Sequence, residues 1–342
     1  MDNLYTLAAI SVVLSALFTP LVKKAAFKFR VLDIPKDKRK IHKKPIPLLG
    51  GLAIYASFVL TLIFKTGALT NAEKGIVIGA TIIVIGGIID DKYDIKPRYK
   101  LIFQTLASLA LINFGVKISL ITNPMLNSNQ YLNIGWLSVP LTIIWVIGIT
   151  NALNLIDGLD GLAAGVALIS SITIFIIAIM NARTDAAVLT AILSGAILGF
   201  LPYNFNPATI FMGDTGAQLL GFLLAAISME GTIKSAAAFA IAVPILALGI
   251  PIYDTLFAVI RRKVNGRPIM QADRGHLHHR LMDMGLTQRQ TVVIMYLISA
   301  ILGSFAIIAM QISNQRAYMV LTGVMLFLVF IAWKCGFFRH RG

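Results

Sequence analysis

Eleven long apolar runs constrain the fold of this chain more than any other feature of its sequence. A transmembrane helix needs about 20 consecutive, mostly apolar residues. The runs lie at about 3–22, 46–64, 75–89, 101–121, 136–150, 161–180, 186–203, 215–229, 235–260, 291–311 and 317–333. Hydrophobic residues make up 57% of the 342 residues and charged residues 13%, unlike a soluble domain. The sequence therefore predicts an all-α, polytopic protein of the lipid bilayer with about eleven transmembrane helices.

The basic residues are distributed unevenly among the connections between these runs. If the N-terminus lies outside, the inner connections and the C-terminus carry 24 Lys and Arg, and the outer connections carry 6. Lys and Arg accumulate in short cytoplasmic loops, so we expect the N-terminus outside and the C-terminus in the cytoplasm. Attraction to anionic lipid then accounts for the net charge of +15 without a nucleic-acid partner. With no internal repeat or linker visible, residues 1–342 are predicted to form a single domain.

Nearly all of the polar motifs fall on the predicted cytoplasmic side. They are DIPKDKRKIHKKPIPLLGG (33–51), DDKYDIKPRYK (90–100), NALNLIDGLDG (151–161), YNFNPATIFMGDT (203–215) and RRKVNGRPIMQADRGHLHHRL (261–281). The outer connections are short or uncharged, so we expect the protein to act on something that arrives from the cytoplasm. Cys335 is the only cysteine and excludes an intramolecular disulfide.

Three aspartates close the third apolar run. A helix C-terminus carries partial negative charge, so Asp90, Asp91 and Asp94 are placed where the helix dipole disfavours them. If the helix continues, Asp90 and Asp94 share one face and Asp91 is turned away. A functional acid pair is one interpretation, and a solvated helix end balanced by the neighbouring lysines and arginine is the other.

The stretch NALNLIDGLDGL places further polar groups at a span boundary. Asn154, Asp157 and Asp160 recur every three residues and so tend to one side, and Asn151 adds a fourth polar group. The two glycines of this stretch allow a close backbone approach or a positive φ. Ordinary turn formation by Asp-Gly pairs is the alternative interpretation.

Asp214 opens the eighth apolar run, where a carboxylate alone indicates no more than a helix cap. Taken together, however, three separate loops each bring an Asp or Asn beside a span. Such oxygen ligands suit Mg²⁺, with Mn²⁺ as a second option, and Mg²⁺ commonly completes its coordination with substrate phosphates. A secondary transporter that binds a driving cation is an alternative, but it would place its acids near the middle of the spans.

The last large loop contains the basic motif RGHLHHR. Its donors suit phosphate oxygens and sugar hydroxyls, and an interfacial basic loop is the simpler alternative. The candidate substrate-binding residues are Arg274, His276, His278, His279 and Arg280. No second cluster of ligands supports a zinc site. Asp254, inside the ninth run, is either a structural partner of a basic side chain or a site residue.

Taken together, the motifs IHKKPIPLLGGLA, DDKYD, NALNLIDGLDGL, FNPATIFMGDTGA and RGHLHHRL resemble those of one enzyme family. It is the polyprenyl-phosphate N-acetylhexosamine-1-phosphate transferases (glycosyltransferase family 4), which includes MraY, WecA and TagO. The resemblance covers nearly the whole chain. It implies that a polyprenyl phosphate attacks the β-phosphate of a UDP-N-acetylamino sugar, releasing UMP and leaving the sugar on a lipid diphosphate.

The resemblance also implies roles for individual residues. Asp214 and Asn154 match the metal ligands of the family, and Asp90 and Asp91 match its catalytic acid pair. Asp157 is predicted to join the catalytic residues. The remaining matches are substrate contacts: Phe211 stacks on uracil, Asp160 contacts the base, Lys100 and either Lys43 or Lys44 contact phosphate, and Asn151 lies beside them.

The motif RGHLHHR departs from the run of histidines that marks the MraY branch and resembles the branch that uses UDP-N-acetylglucosamine. We therefore expect a UDP-N-acetylglucosamine transferase of the bacterial cytoplasmic membrane, with its active site on the cytoplasmic face, that begins a cell-envelope glycopolymer such as a teichoic acid or O-antigen. The alternatives are a muramoyl-pentapeptide transferase, a lipid phosphatase and the cation-coupled transporter. Apolar span faces suit lipid or a second copy of the chain equally, so the sequence is compatible with a monomer or a homodimer.

Overall fold

The computed structural model describes residues 4–35, 44–122, 131–230, 242–264, 266, 275–311 and short pieces of 319–330. This part of the chain is a helical bundle. Its helices are α1 (Leu4–Lys28), α2 (Gly50–Ile63), α3 (Asn71–Tyr93), α4 (Pro97–Asn113), α5 (Ser138–Ile156), α6 (Leu162–Met180), α7 (Thr184–Asn204), α8 (Gly213–Ser228), α9 (Ala242–Ala247), α10 (Gly249–Val264), α11 (Leu277–Asp283) and α12 (Gln288–Gln311).

Two short antiparallel hairpins accompany the helices. One pairs β1 (Leu32–Asp33) with β2 (Ile46–Pro47), and the other pairs β3 (Leu120–Thr122) with β4 (Tyr131–Asn133). The second hairpin corrects the predicted fourth span, which was expected to run to residue 121. The helix ends at Asn113 because the chain turns at Gly115, which has φ 85°, a conformation that glycine adopts without strain.

Six of the described helices are long and apolar enough to cross a membrane, namely α1, α3, α6, α7 and α12 together with α5 and the turn before it. They coincide with six of the predicted spans and confirm a multi-pass helical membrane protein. The predicted ninth span is instead two helices, α9 and α10, that meet at Leu248. The total of eleven spans and their orientation stay predictions.

Helix α8 is the central element of the bundle, and its residues from Thr215 to Ser228 are all buried. Small residues let neighbouring helices approach it closely, as is common in membrane bundles. A Cβ added to Gly51 of α2 would lie 2.2 Å from the Gly216 backbone, and one added to Gly87 of α3 would lie 2.4 Å from Thr215 Cα. Asp214 therefore sits at the end of a helix enclosed by α2, α3 and α5.

Candidate active site

The N-terminus of α8 is capped by a side chain from another helix. Asp91 of α3 accepts hydrogen bonds from the backbone N–H of Asp214 (2.7 Å), the backbone N–H of Thr215 (3.1 Å) and the hydroxyl of Thr215 (2.6 Å). Gly213 has φ 70°, and an added Cβ would lie 2.5 Å from the Asp91 carboxylate. Asp91, predicted as a catalytic acid, thus satisfies the free N–H groups of α8 and fixes its position.

Lys100 joins the ends of three helices. Its Nζ lies 2.5 Å from Asp90 Oδ2 of α3 and 2.5 Å from Asp214 Oδ2 of α8. Asp90 is buried, and its other oxygen accepts a hydrogen bond from the Ile95 N–H at 3.0 Å. Helix α3 ends at Tyr93, and Asp94 leaves the helical face in a left-handed conformation, so Asp90 and Asp94 do not form a pair on one face.

The end of α5 supplies the next polar groups. Burial opposes ionisation of Asp214, but the neighbouring side chains of Asp90, Lys100 and Asn154 hold the pKa of this carboxyl below its usual value. Asp157 follows the last residue of α5 and faces a pocket, and burial, reinforced by the charges of Asp214 and Asp91, raises its pKa to about 8. We call Asp90, Asp91, Asp157 and Asp214 the acid cluster. The Lys100 ammonium lies against this excess of negative charge.

Both glycines of NALNLIDGLDGL have the functions that the sequence suggests. Gly161 has φ 78°, a left-handed conformation that favours glycine. Gly158 lies against His278, where an added Cβ would be 2.7 Å from the imidazole Nε2.

A pocket of about 520 Å³ opens beside the acid cluster. Acidic side chains line one part of it, and apolar and amide groups line the rest. Among the lining residues are Asp91, Asp157, Asp160, Asp214, Asn204, Asn206, Phe211, His279 and Gln288. Phe211, predicted to stack on a base, is thus in the same pocket as Asp214.

The Phe211 loop is fixed by the motif IPLLGG at the start of α2. The Phe211 N–H donates to the Pro47 carbonyl (2.9 Å), and its own carbonyl accepts from the Gly50 N–H (3.0 Å). This contact explains the place of the motif near the site. Lys44, predicted to contact phosphate, is exposed just before this segment, and Lys43 lies outside the described residues.

Asp160 binds the loop that follows α7. Its Oδ2 accepts hydrogen bonds at 3.0 Å from the Asn206 side chain and from the Ala208 N–H. Asn206 also donates to the side chain of Gln288, at 2.9 Å. Sequence reasoning missed Asn206 and Gln288 as pocket residues. Asn206 lies inside a motif that was singled out, but Gln288 carries no signal because it is one of several polar residues at the start of α12.

The histidines and arginines of RGHLHHR have different environments. We call residues 275–283 the histidine segment. His276 Nδ1 lies 2.8 Å from Asp254 Oδ2 of α10, and the Leu277 N–H donates to the other Asp254 oxygen at 2.8 Å. Asp254 is thus a structural partner, as one of the two interpretations predicted.

Within the histidine segment, His279 lines the pocket, whereas Arg280 is buried and donates from Nε to the Gly275 carbonyl. His278 is buried against Gly158, and burial lowers its pKa to about 3, so this imidazole is neutral. Arg274 lies outside the described residues.

Among the described residues no group of three or more His, Cys, Asp or Glu side chains has an arrangement that would hold a metal on its own. The acid cluster nevertheless offers oxygen donors suited to a hard cation, namely Asp214, with Asn154 and Asp157 beside it. A cation that takes only one or two carboxylates and completes its coordination with phosphate and water fits this set.

The fold and the pocket define a multi-pass helical membrane protein whose site lies at the gathered ends of its helices. The sequence profile of glycosyl transferase family 4 matches residues 74–232. The chain is 38% identical, over 97% of its length and 92% of the relative, to a probable undecaprenyl-phosphate N-acetylglucosaminyl 1-phosphate transferase of Bacillus subtilis (strain 168).

Two further relatives carry related names. A decaprenyl-phosphate N-acetylglucosaminephosphotransferase of Mycolicibacterium smegmatis is 35% identical over 81% of this chain and 74% of its own. An undecaprenyl-phosphate alpha-N-acetylglucosaminyl 1-phosphate transferase of Escherichia coli (strain K12) is 29% identical over 93% of this chain and 86% of its own. The chain belongs to glycosyl transferase family 4.

Proposed function

We propose that this membrane transferase moves N-acetylglucosamine-1-phosphate from UDP-N-acetylglucosamine to a polyprenyl phosphate and releases UMP. The names of the relatives support this reaction. The observation that carries it is that Lys100 is paired with Asp90 and Asp214, and that Asp214 lines the same pocket as Phe211. A cationic side chain suits the phosphates of a nucleotide diphosphate, and an aromatic ring suits its base.

In the proposed reaction a phosphate oxygen of the lipid attacks the β-phosphorus of the nucleotide sugar. The bond from that phosphorus to the bridging oxygen breaks, and UMP leaves with the electron pair. Such transfers require mainly positioning and neutralisation of charge. Lys100 supplies a positive charge beside the reacting phosphates, and Phe211 offers a face on which uracil stacks. His279 lines the same pocket and is proposed to contact the sugar or phosphate.

Asp90 is proposed to orient Lys100 rather than to act as a base. A phosphate monoester has a second pKa of about 6, so the lipid nucleophile is already largely ionised at neutral pH. The short contact between the Asp90 carboxylate and Lys100 supports the orienting role. Asp91 supports the same region by capping α8.

Mg²⁺ is the proposed cofactor, with Mn²⁺ as a substitute, and Asp214 and Asn154 are the residues proposed to hold it. When bound, such an ion neutralises the charge that develops on the phosphates. The excess of carboxylates over cationic groups in the acid cluster supports this assignment.

The site is proposed to face the cytoplasm of a bacterial cell. The segment before α2 and the end of α3 line the pocket, and the connections to which they belong, 23–44 and 90–100, carry 10 and 4 of the 30 Lys and Arg residues. The UDP-sugar is proposed to enter from this side and the lipid to enter from the bilayer.

The decisive experiment uses the purified full chain in detergent with undecaprenyl phosphate and Mg²⁺. UDP-N-acetylglucosamine and UDP-N-acetylmuramoyl-pentapeptide are offered separately, and UMP and lipid-linked sugar are measured. We expect equal amounts of both products from the first donor and none from the second. Turnover with the pentapeptide donor alone would assign the chain to the muramoyl-pentapeptide transferases. Release of inorganic phosphate would indicate a lipid phosphatase.

Asp214→Asn tests the site within the same assay. We expect its turnover to fall at least about a hundredfold, because it loses a charge at the reacting centre. Asp185→Asn is the matched control, since Asp185 is an exposed carboxylate at the start of α7, at the opposite end of the bundle from the pocket. Equal losses of turnover in both variants, or normal activity in Asp214→Asn, would show that Asp214 is not part of the active site.

A further inference from the structure

Three amide side chains from three helices are hydrogen-bonded to one another inside the bundle. Gln104 of α4 donates through Nε2 to Asn151 Oδ1 of α5 (3.2 Å) and to Gln218 Oε1 of α8 (3.0 Å). Asn151 donates back to Gln104 Oε1 at 2.8 Å and to the Ile147 carbonyl at 2.9 Å. Gln104 and Gln218 are buried. We call Gln104, Asn151 and Gln218 the amide triad.

Each member of the amide triad lies one helical turn from a residue of the candidate site on the same helix. The pairs are Gln104 with Lys100, Asn151 with Asn154, and Gln218 with Asp214. Residues three or four apart lie on the same face of a helix. The triad therefore joins the three helices on the face that carries Lys100, Asn154 and Asp214, one turn deeper in the bundle.

Apolar packing alone leaves the rotation and depth of membrane helices weakly specified, because lipid tails are as apolar as the side chains between the helices. Hydrogen bonds between amides are directional and restrict both. Lys100 must reach Asp90 and Asp214 at the same time, so a small rotation of α4 would separate them. In enzymes a misplacement of about 1 Å at the reacting groups lowers the rate about a hundredfold.

The geometry points to Gln104, Asn151 and Gln218 as positioning residues that fix the rotation and depth of α4, α5 and α8 so that Lys100, Asn154 and Asp214 converge. This assignment rests on the proposed transferase activity for its kinetic effect, but not for its structural one. It gives Asn151 a role different from the predicted substrate contact, since both N–H groups of its amide are donated within the protein.

The first test is Gln104→Leu, which keeps the side-chain volume similar and removes both links. We expect kcat to fall at least tenfold while KM for UDP-N-acetylglucosamine changes less than threefold. Ser108→Ala is the matched control, because Ser108 is buried one turn further along the same face of α4 and bonds only to the carbonyl of Gln104 in its own helix. Its kcat should stay within about twofold of the wild type.

The opposite kinetic pattern would overturn the assignment. If Asn151→Leu raised KM strongly while Gln104→Leu left both constants unchanged, Asn151 would be a direct substrate contact. A general loss of folding is tested with Gln104→Asn and Asn151→Gln, which shorten one amide side chain and lengthen its partner. We expect the double variant to recover kcat above either single variant, and failure to recover in a folded protein would contradict the triad.

A cross-linking measurement separates this proposal from the proposed function. In a Cys335→Ser chain carrying Lys100→Cys and Asp214→Cys, a short bifunctional thiol reagent reports how closely the two positions approach. We expect the cross-linked fraction to fall several-fold on adding Gln104→Leu and to stay the same on adding Ser108→Ala. An unchanged fraction in both would overturn the positioning role, and this readout needs no turnover, so an inactive wild type would count against the transferase activity alone.

Discussion

The two sides of the pocket are held in place in different ways. On the acid side, carboxylates, amides and glycines from α2, α3, α4, α5 and α8 make contacts that cross from one long helix to another. On the histidine side, Asp254 makes two hydrogen bonds to the start of the histidine segment. The acid side is therefore held by contacts between long helices, whereas the histidine segment, although His276 and His278 are buried, is a short piece of chain packed against α10 and Gly158.

The difference has a physical cause. A group that neutralises charge in a reaction must be fixed before the substrate arrives, because its contribution depends on preorganisation. Helices packed backbone to backbone supply that rigidity. We expect that a short helix such as α11, with seven residues, is displaced without unfolding the bundle. We therefore expect changes on the acid side to affect stability and activity together, and changes on the histidine side to affect activity alone.

The largest expected effect comes from Gly51→Ala. An added Cβ would lie 2.2 Å from the backbone of Gly216, so α2 and α8 must separate. We expect the free energy of unfolding to fall by at least about 2 kcal/mol, and turnover to fall with it, because overpacking in a tight contact is destabilising. Unfolding in detergent followed by circular dichroism, together with the UMP assay, measures both.

Gly148→Ala is the control for this experiment. Gly148 is exposed within α5, and an added Cβ meets nothing within 4 Å. Alanine is the better helix former, so we expect stability to stay equal or rise slightly. A loss of stability as large as that of Gly51→Ala would show that the acid side does not depend on the α2–α8 contact.

The second prediction concerns Asp254→Ala on the histidine side. The change releases His276 and the Leu277 N–H from α10, so we expect kcat/KM to fall about tenfold while the melting temperature changes by no more than a few degrees. Asp283→Ala, at an exposed position at the end of α11, is the control and should leave both unchanged. Unfolding of Asp254→Ala would place the histidine segment within the core and remove the contrast between the two sides.

The same contrast explains what could be predicted from the sequence. Asp90, Asn154 and Asp214 stand out because charged and amide groups are rare beside apolar spans, and the structure brings all three to one end of the bundle. Position relative to an apolar run is a local property, so it can be read from the chain. The six long spans follow from the same local property.

Contacts between residues of different helices could not be predicted from such local properties. Lys100 and Asp214 are 114 residues apart, and nothing near either residue specifies the other. The capping of α8 by Asp91 likewise depends on how α3 and α8 are placed in the tertiary structure. Gln104 and Gln218 each appear in the sequence as a polar residue within an apolar helix, and only the tertiary structure brings them within hydrogen-bonding distance.

The third prediction is a pH dependence on the acid side. Burial raises the pKa of Asp157 from 3.8 to about 8, so the folded protein binds this proton more tightly than the unfolded chain does. Between pH 3.8 and about pH 8, Asp157 is more ionised in the unfolded chain than in the folded protein. Its contribution to stability therefore falls as pH rises. In the presence of a chelator we therefore expect the melting temperature of the wild type to decrease from pH 5 to pH 9.

Asp157→Asn should decrease less over the same range, because the substituted amide does not titrate. Asp185→Asn, which changes an exposed carboxylate at the far end of α7, should follow the wild type. Mg²⁺ added at pH 9 should raise the melting temperature of the wild type more than that of Asp157→Asn, since a cation offsets the charge that the pocket disfavours. Parallel curves for all three proteins would mean that the buried charge of the acid side is compensated by groups other than a bound cation.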